Sequence, residues 1–225
     1  MSDNKVLFVP IRSGSKGIPH KNIKEFCGKP LFYWGIRVAL DSGIFDQIIV
    51  STESSEYRRI VKSYFSDESV CVDSRPQELA LDSTSTEDVM CEFFGRECYS
   101  AKTISVLYQV SSPIVRTEDF VEIVARLSDC QYDSALSVVE FKRFLWSAKN
   151  EPLNYCPRQR PRRQEMEPYF CENGALYACR VDGLLEKRSR LYGRIGTVVM
   201  PDSSFYEIDE ASDWVIAEKL FELEK

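Results

Sequence analysis

The chain has 225 residues, 44% of them hydrophobic and 12% aromatic, enough for one sizeable core with at most a small appended lobe. Its 29 Lys and Arg against 35 Asp and Glu give a net charge of -6, which disfavours a globally basic nucleic-acid binder and requires any basic site to be local. No apolar run approaches the roughly 20 residues that span a bilayer, and the start lacks the charged and apolar regions of a leader, so a soluble, cytoplasmic protein without membrane or nucleic-acid partners is expected.

The first 140 residues alternate strand-like and helix-like segments, the pattern of a mostly parallel sheet covered by helices. Val6 to Pro10 is a short apolar strand that runs into a polar, glycine-bearing loop. Pro30 suits the first position of a helix whose apolar face holds Leu31, Trp34 and Val38, with Gly43 as terminator. Gln47 to Ser51 reads as a buried strand, Tyr57 to Tyr64 has helical spacing, and Ser69 to Val72 is the next short strand. Ser85 to Asp88 has a capping-box layout before Val89, Met90, Phe93 and Phe94. Thr103 to Tyr108 is a further strand, and a Ser-Ser-Pro turn at 111–113 precedes a helix carrying Phe120, Ile123, Val124 and Leu127. Acidic Glu118 and Asp119 in its first turn complement the helix dipole. Ser134 to Glu140 supplies one more strand.

After Phe141 the texture changes to prolines and arginines, and residues 141–185 are expected to form an inserted lobe, the rest (1–140 and 186–225) forming one α/β domain. Exposed aromatic and Arg content makes such a lobe a natural contact in a homodimer. The chain then returns through a strand at Gly196 to Met200 and closes with a helix after Asp209 that uses Ala211, Trp214, Ala217 and Phe221. The eight cysteines, Cys130 among them, show neither a CxxC pair nor zinc spacing and are expected to be reduced small hydrophobes. The single histidine, His20, sits in a Lys-rich loop, where a base for a Ser-His-Asp triad is improbable.

The segment after the first strand carries the clearest chemistry. Small residues Ser13, Gly14, Ser15 and Gly17 let backbone N–H groups approach an anion, and Arg12, Lys16 and Lys21 bring three cations to the same place. Ligands of open α/β sheets bind at the carboxyl ends of strands, which favours this over a merely solvated basic loop. Both GxGxxG and GxxxxGK[ST] are absent, so neither a dinucleotide fingerprint nor a Walker loop is supported. A second pole is the pair Glu207 and Asp209, which share one face if the stretch is extended and offer two hard oxygen ligands for Mg2+ beside phosphates. The alternative is that they are acids placed before the last helix, and Asp213 fits that role better.

PIRSGSKGIPHKN at Pro10 to Asn22, followed by FCGKPL, resembles the signature of the acylneuraminate cytidylyltransferases. Further blocks resemble the family in the same order: VSTES (50–54), RPQELALDST (75–84), QVSSPIV (109–115), RRQEM (162–166), YFCENGALY (169–177) and YEIDEASDW (206–214). The resemblance covers nearly the whole chain. It implies a Rossmann-like three-layer α/β fold, a small dimerisation lobe, and transfer of a cytidylyl group from CTP to the anomeric hydroxyl of a nonulosonic (sialic-acid-like) sugar.

Carried over position by position, Arg12 and Lys21 would grip phosphate with Asp209 as the third catalytic group, while Ser13, Gly14, Ser15, Lys16, Asn22, Arg75 and Ser83 would bind nucleotide. Gln109, Arg162, Arg163, Gln164 and Asn173 would face the sugar, and Asp209 and Glu207 would hold magnesium. The chain departs from the family pattern at Glu207, where Asp is usual, and around Val110, Ser111 and Val115, where Pro, Thr and Arg are usual. Two alternatives stand beside this reading: a nucleotidyltransferase for a Kdo-type octulosonate or another sugar, and a binding homologue without turnover.

Overall fold

The computed structural model describes residues 3–66, 69–128 and 131–224. In chain order the elements begin with β1 (Lys5–Pro10), the two-residue hairpin strands β2 (Glu25–Phe26) and β3 (Lys29–Pro30), α1 (Leu31–Ser42), β4 (Gln47–Thr52), α2 (Ser55–Tyr64) and β5 (Val70–Ser74). They continue with α3 (Thr86–Arg96), β6 (Ile104–Tyr108), α4 (Thr117–Ser128), β7 (Ser134–Phe141), β8 (Tyr169–Arg180), α5 (Val181–Lys187), β9 (Ile195–Met200) and α6 (Ala211–Glu224). Seven strands form one sheet in the order β5-β4-β1-β6-β8-β7-β9. All neighbours pair in parallel except β8, which runs antiparallel to both β6 and β7.

Successive strand residues point to opposite faces, and β1 shows how both faces become core. Leu7 and Val9 join Phe32, Ile36, Tyr57, Val61 and Phe120 under α1, α2 and α4. Val6 and Phe8 join Val89, Phe93, Phe94 and Leu184 under α3 and α5. Both faces are therefore covered, which is the three-layer arrangement a parallel sheet requires. Each such fully buried side chain contributes on the order of 2 kcal/mol.

The expected helix signals hold in detail. The Ser85 hydroxyl accepts the Asp88 amide at 3.0 Å at the start of α3, and Gly43 closes α1 with φ +63°. Helix α1 starts one residue later than expected, because Pro30 pairs in the small hairpin, and its inner face is Phe32, Gly35, Ile36 and Ala39. Leu31 and Trp34 turn instead toward the closing helix, packing with Ile18, Phe26, Ile208 and Trp214 in a third, smaller core.

The sheet takes in part of the stretch set apart at 141–185. Tyr169–Arg180 is a long central strand, so the chain outside the sheet and its helices narrows to residues 142–168. The prolines and arginines that mark the texture change lie within that narrower stretch, whereas the strand's alternation is masked by burial on both faces. Burial pushes the thiols of Cys91 and Cys179 upward, the latter to about 12, in keeping with inert hydrophobes; Cys130 lies outside the described residues.

Candidate active site at the carboxyl ends of the central strands

The chain moves from β1 outward to β4 and β5, then returns to place β6 on the other side of β1. The crevice outside the carboxyl ends of β1 and β6 is thus the switch point of the sheet, where α/β folds bind ligands. A cavity of about 520 Å3 opens there. Its wall includes Arg12, Ser15, Lys16, Lys21 and Asn22 from the loop after β1, Gln109 to Ser111 after β6, Arg75 after β5, and Asp209.

The third core explains why distant cations and acids meet. Ile18 from the loop and Ile208 from the acidic segment are both buried in it. Gly17 lies against that segment so closely that a Cβ would sit 2.1 Å from the Asp209 carbonyl oxygen. Only a residue without a side chain permits this approach. The Lys21 ammonium donates to the Ile208 carbonyl and to Asp209 Oδ1 at 3.2 Å. Lys21 keeps only 15% of its side chain exposed while the Asp209 carboxylate is 70% exposed, so the acid is accessible beside a sheltered cation.

The other cations are held from behind or from across the cavity. Asn22 is buried and donates its amide to the Arg12 carbonyl at 2.8 Å, closing the base of the loop. Arg12 and Lys16 both reach Asp82, at 2.9 and 2.8 Å, one to each carboxylate oxygen. The Lys16 ammonium, with Arg12 beside it, holds the Asp82 carboxyl below the ordinary carboxylate range. Arg75 is buried and donates to the Ser51 carbonyl at 2.7 Å. Burial and the nearby Arg12 charge lower its pKa, opposed by Glu53 and Asp73, and a guanidinium stays charged throughout.

Residues 6–195 match the profile of the family described as Cytidylyltransferase. The chain belongs to the cytidylyltransferase family. It is 34% identical over 219 residues to N-acylneuraminate cytidylyltransferase A of Danio rerio, covering 92% of this chain and 48% of that protein. It is 24% identical over 221 residues to pseudaminic acid cytidylyltransferase of Campylobacter jejuni, covering 96% and 95% of the two chains. The chain spans about half the length of the first of these relatives and nearly all of the second. Among solved structures, a CMP:2-keto-3-deoxy-manno-octonic acid synthetase complexed with CTP superposes with a TM-score of 0.70 at 18% identity, covering 99% of this chain and 100% of the other. A 4-diphosphocytidyl-2C-methyl-D-erythritol synthase from Anaerococcus prevotii superposes with a TM-score of 0.67 at 12% identity, covering 98% and 96%. The two superpositions establish the shared fold.

Several residues expected at the site do not line this cavity. Ser13, Gly14 and Ser83 do not line the cavity; the Ser13 amide and hydroxyl both donate to Glu53, at 2.8 and 2.6 Å. Asn173 is 3% exposed and does not line the cavity; its oxygen accepts from Ser137 and its amide donates to Ser204, so its hydrogen-bonding groups are met within the core. Arg162, Arg163 and Gln164 are exposed on the 142–168 stretch, and Arg163 borders a separate cavity of about 330 Å3 with Glu140 and Tyr206. Val115 is buried, and Arg116 beside it pairs with Asp119 at 2.9 Å.

The two acids of the second pole take different partners. The stretch between Phe205 and α6 is irregular rather than a strand, so the period-two argument for a shared face does not apply there. Glu207 accepts the Ser111 hydroxyl at 2.8 Å and packs on Gly174, where a Cβ would meet its Oε2 at 2.8 Å. Among the described residues no group of three or more acids, cysteines or histidines could hold a metal ion. Magnesium needs only one or two carboxylates when phosphates and waters complete its shell, and the exposed Asp209 meets that requirement, whereas Glu207 does not reach the cavity wall.

Asp82 and Thr84, in the block whose family resemblance implies closure over nucleotide and sugar, line the cavity. The sequence reading missed the wall beyond them: Ser85 and Thr86 line the cavity at the start of α3, and Leu79, Leu81 and Val89 give it an apolar side. The Ser85 cap was a usable signal, because a helix amino terminus attracts anions as well as needing a cap.

Proposed function

We propose that this protein is a nucleotidyltransferase that joins the α-phosphate of CTP to the anomeric hydroxyl of a nonulosonic acid, giving a CMP-sugar and pyrophosphate. The observation that carries this reading is the convergence of Arg12, Lys16 and Lys21 with Asp209 on one cavity at the switch point of the sheet. The hydroxyl oxygen forms a bond to the α-phosphorus, the bond to the β-phosphate oxygen breaks, and the hydroxyl proton passes to solvent. Negative charge grows on the leaving pyrophosphate and on the in-flight phosphoryl oxygens. Arg12, Lys21 and the remaining loop amides oppose that charge, and their fixed placement avoids reorganisation during the reaction.

Asp209 would hold magnesium, which neutralises phosphate charge and makes an attacking hydroxyl more acidic when bound. Lys21 keeps Asp209 in place and pre-positions its own ammonium for phosphate. Arg75 and the apolar side of the cavity suit the nucleoside, and Gln109, which lines the same cavity, would contact the sugar. Arg162, Arg163 and Gln164 fit a sugar-side role through a second copy of the chain, with 142–168 as the contact of a homodimer; planar guanidinium groups match a sugar carboxylate. Among the described residues no helix is long and apolar enough to cross a membrane, and buried thiols such as Cys91 and Cys179 suit a cytoplasmic setting.

Pyrophosphate release from CTP tests the reading with sialic, legionaminic and pseudaminic acids and a Kdo-type octulosonate as acceptors. Release with a nonulosonate is expected, and Lys21→Ala should slow it strongly. Release with octulosonate alone would replace the acceptor, and CTP binding without release for any acceptor would make the protein a binding homologue. A monomeric mass in solution would contradict the homodimer.

A further inference from the structure

We propose that Glu53 is a positioning residue of the nucleotide site, fixing the loop after β1 through Ser13 and holding it in register with Arg75. The geometry stands independently of the substrate, while the nucleotide consequences rest on the function proposed above.

Strand β4 lies between β1 and β5, and its carboxyl end ties both arms of the site to one stretch of backbone. The Ser51 carbonyl accepts the Ile11 amide at 2.9 Å and the Arg75 guanidinium at 2.7 Å. The Thr52 carbonyl accepts the Arg75 amide at 3.1 Å. The Ser51 hydroxyl donates to Asp73 at 2.7 Å, and the Asp73 side chain is only 8% exposed. Ile11 and Arg75 are thus registered on β4, but the loop beyond Ile11 has left the sheet, and the Asn22 amide on the Arg12 carbonyl ties its two ends to each other rather than to β4.

Glu53 ties the loop to the end of β4. A single oxygen, Oε1, accepts both the amide and the hydroxyl of Ser13, at 2.8 and 2.6 Å. Ser13 is turned away from the cavity by this grip, while Arg12 and Ser15 on either side of it line the cavity. A carboxylate suits a double acceptor because hydrogen bonds to a charged oxygen are shorter and stronger. Its other oxygen, Oε2, is buried with no hydrogen-bond partner among the described residues. Burial alone would raise the Glu53 carboxyl, yet the Ser13 hydroxyl and amide, joined by the Arg75 charge, hold it below its ordinary value. The carboxylate is therefore retained at a desolvation cost, offset by the loop it holds.

Hydrogen exchange of the 11–20 segment in the nucleotide-free protein, with CTP binding by calorimetry and kcat and KM measured separately, tests this. Glu53→Ala should speed exchange in that segment while β7 to β9 stay protected, and should raise the CTP dissociation constant and KM about tenfold with kcat within about threefold of wild type. Glu53→Gln, whose amide oxygen can still accept from Ser13, should recover most of both, and Ser13→Ala should fall between. Unchanged loop exchange and CTP affinity in Glu53→Ala, or a Glu53→Gln protein as impaired as Glu53→Ala, would overturn the proposal. If Glu53→Ala does not fold, Ser13→Ala carries the same exchange test. A wild-type protein that binds no CTP would defeat the proposed function, whereas the exchange comparison would still decide whether Glu53 holds the loop.

Discussion

Replacing Gly17 by alanine asks how tightly the cationic loop must press on the acidic segment. Its Cβ would lie 2.1 Å from the carbonyl oxygen of Asp209 and 3.3 Å from the carbonyl carbon. A backbone oxygen cannot rotate aside as a side chain can, so the two segments must part by roughly 1 Å to reach tolerable contact. That movement falls on the bonds from Lys21 to Ile208 and Asp209. Such overpacking costs about 1–3 kcal/mol, which for a chain of this size lowers the melting temperature by about 2–4 °C per kcal/mol. A misplacement of about 1 Å in a reacting geometry costs on the order of 100-fold in kcat/KM. Gly14 is the control, because no atom lies within 4 Å of its Cβ position. Pyrophosphate release and thermal melts should therefore show Gly17→Ala impaired in both and Gly14→Ala near wild type. Wild-type kcat/KM for Gly17→Ala, or equal damage from both substitutions, would refute the reasoning.

Among Arg12→Ala, Lys16→Ala and Lys21→Ala, the last should lose most kcat/KM, about 100- to 1,000-fold, in a pyrophosphate-release assay. Asp82→Asn frees Arg12 and Lys16 from the carboxylate that bridges them, and calorimetry should show CTP binding tightened about two- to fivefold, a small effect as befits an exposed pair; weaker binding would mean Asp82 contributes to the bound state. Asn173→Ala should cost about 1–2 kcal/mol in denaturant melts by removing its hydrogen bonds to Ser137 and Ser204, whose hydroxyls keep Leu176 and Pro201 as partners, with kcat/KM of the folded fraction nearly unchanged, whereas a sugar contact would show as a raised KM for the acceptor. Because the Glu53 carboxyl lies below its ordinary value of 4.5 in the folded protein, its stabilising charge is present above that pH and lost as pH falls through the lower folded value. The melting-temperature advantage of wild type over Glu53→Gln should accordingly shrink as pH is lowered from neutral to below 4.5.

Local rules carried most of the fold. Caps and terminators such as Ser85 and Gly43 act within a few residues, so their effect is readable from the chain alone. The antiparallel insertion of β8 was not readable, because which strands become neighbours depends on the return path through 142–168. At the site, charge and small residues singled out the loop after β1, since three cations among glycines and serines at a strand end favour an anion site over a solvated loop. The hydrogen bonds of Asn173 and Glu207 were not legible for a common reason. A polar residue in a motif has the same letter whatever it touches, and only the fold reveals the partners Ser137, Ser204 and Ser111 and the close approach of Gly174. Glu53 was hidden for the converse reason, because its role exists only through contact with a loop forty residues away.

The most direct measurement follows the phosphorus atom itself. With CTP labelled at the α-phosphate and a nonulosonic acid as acceptor, the label should appear in a new sugar nucleotide while all pyrophosphate released is unlabelled, and Lys21→Ala should suppress both products. Label in free phosphate, or sugar product formed equally well by the Lys21→Ala protein, would contradict the account.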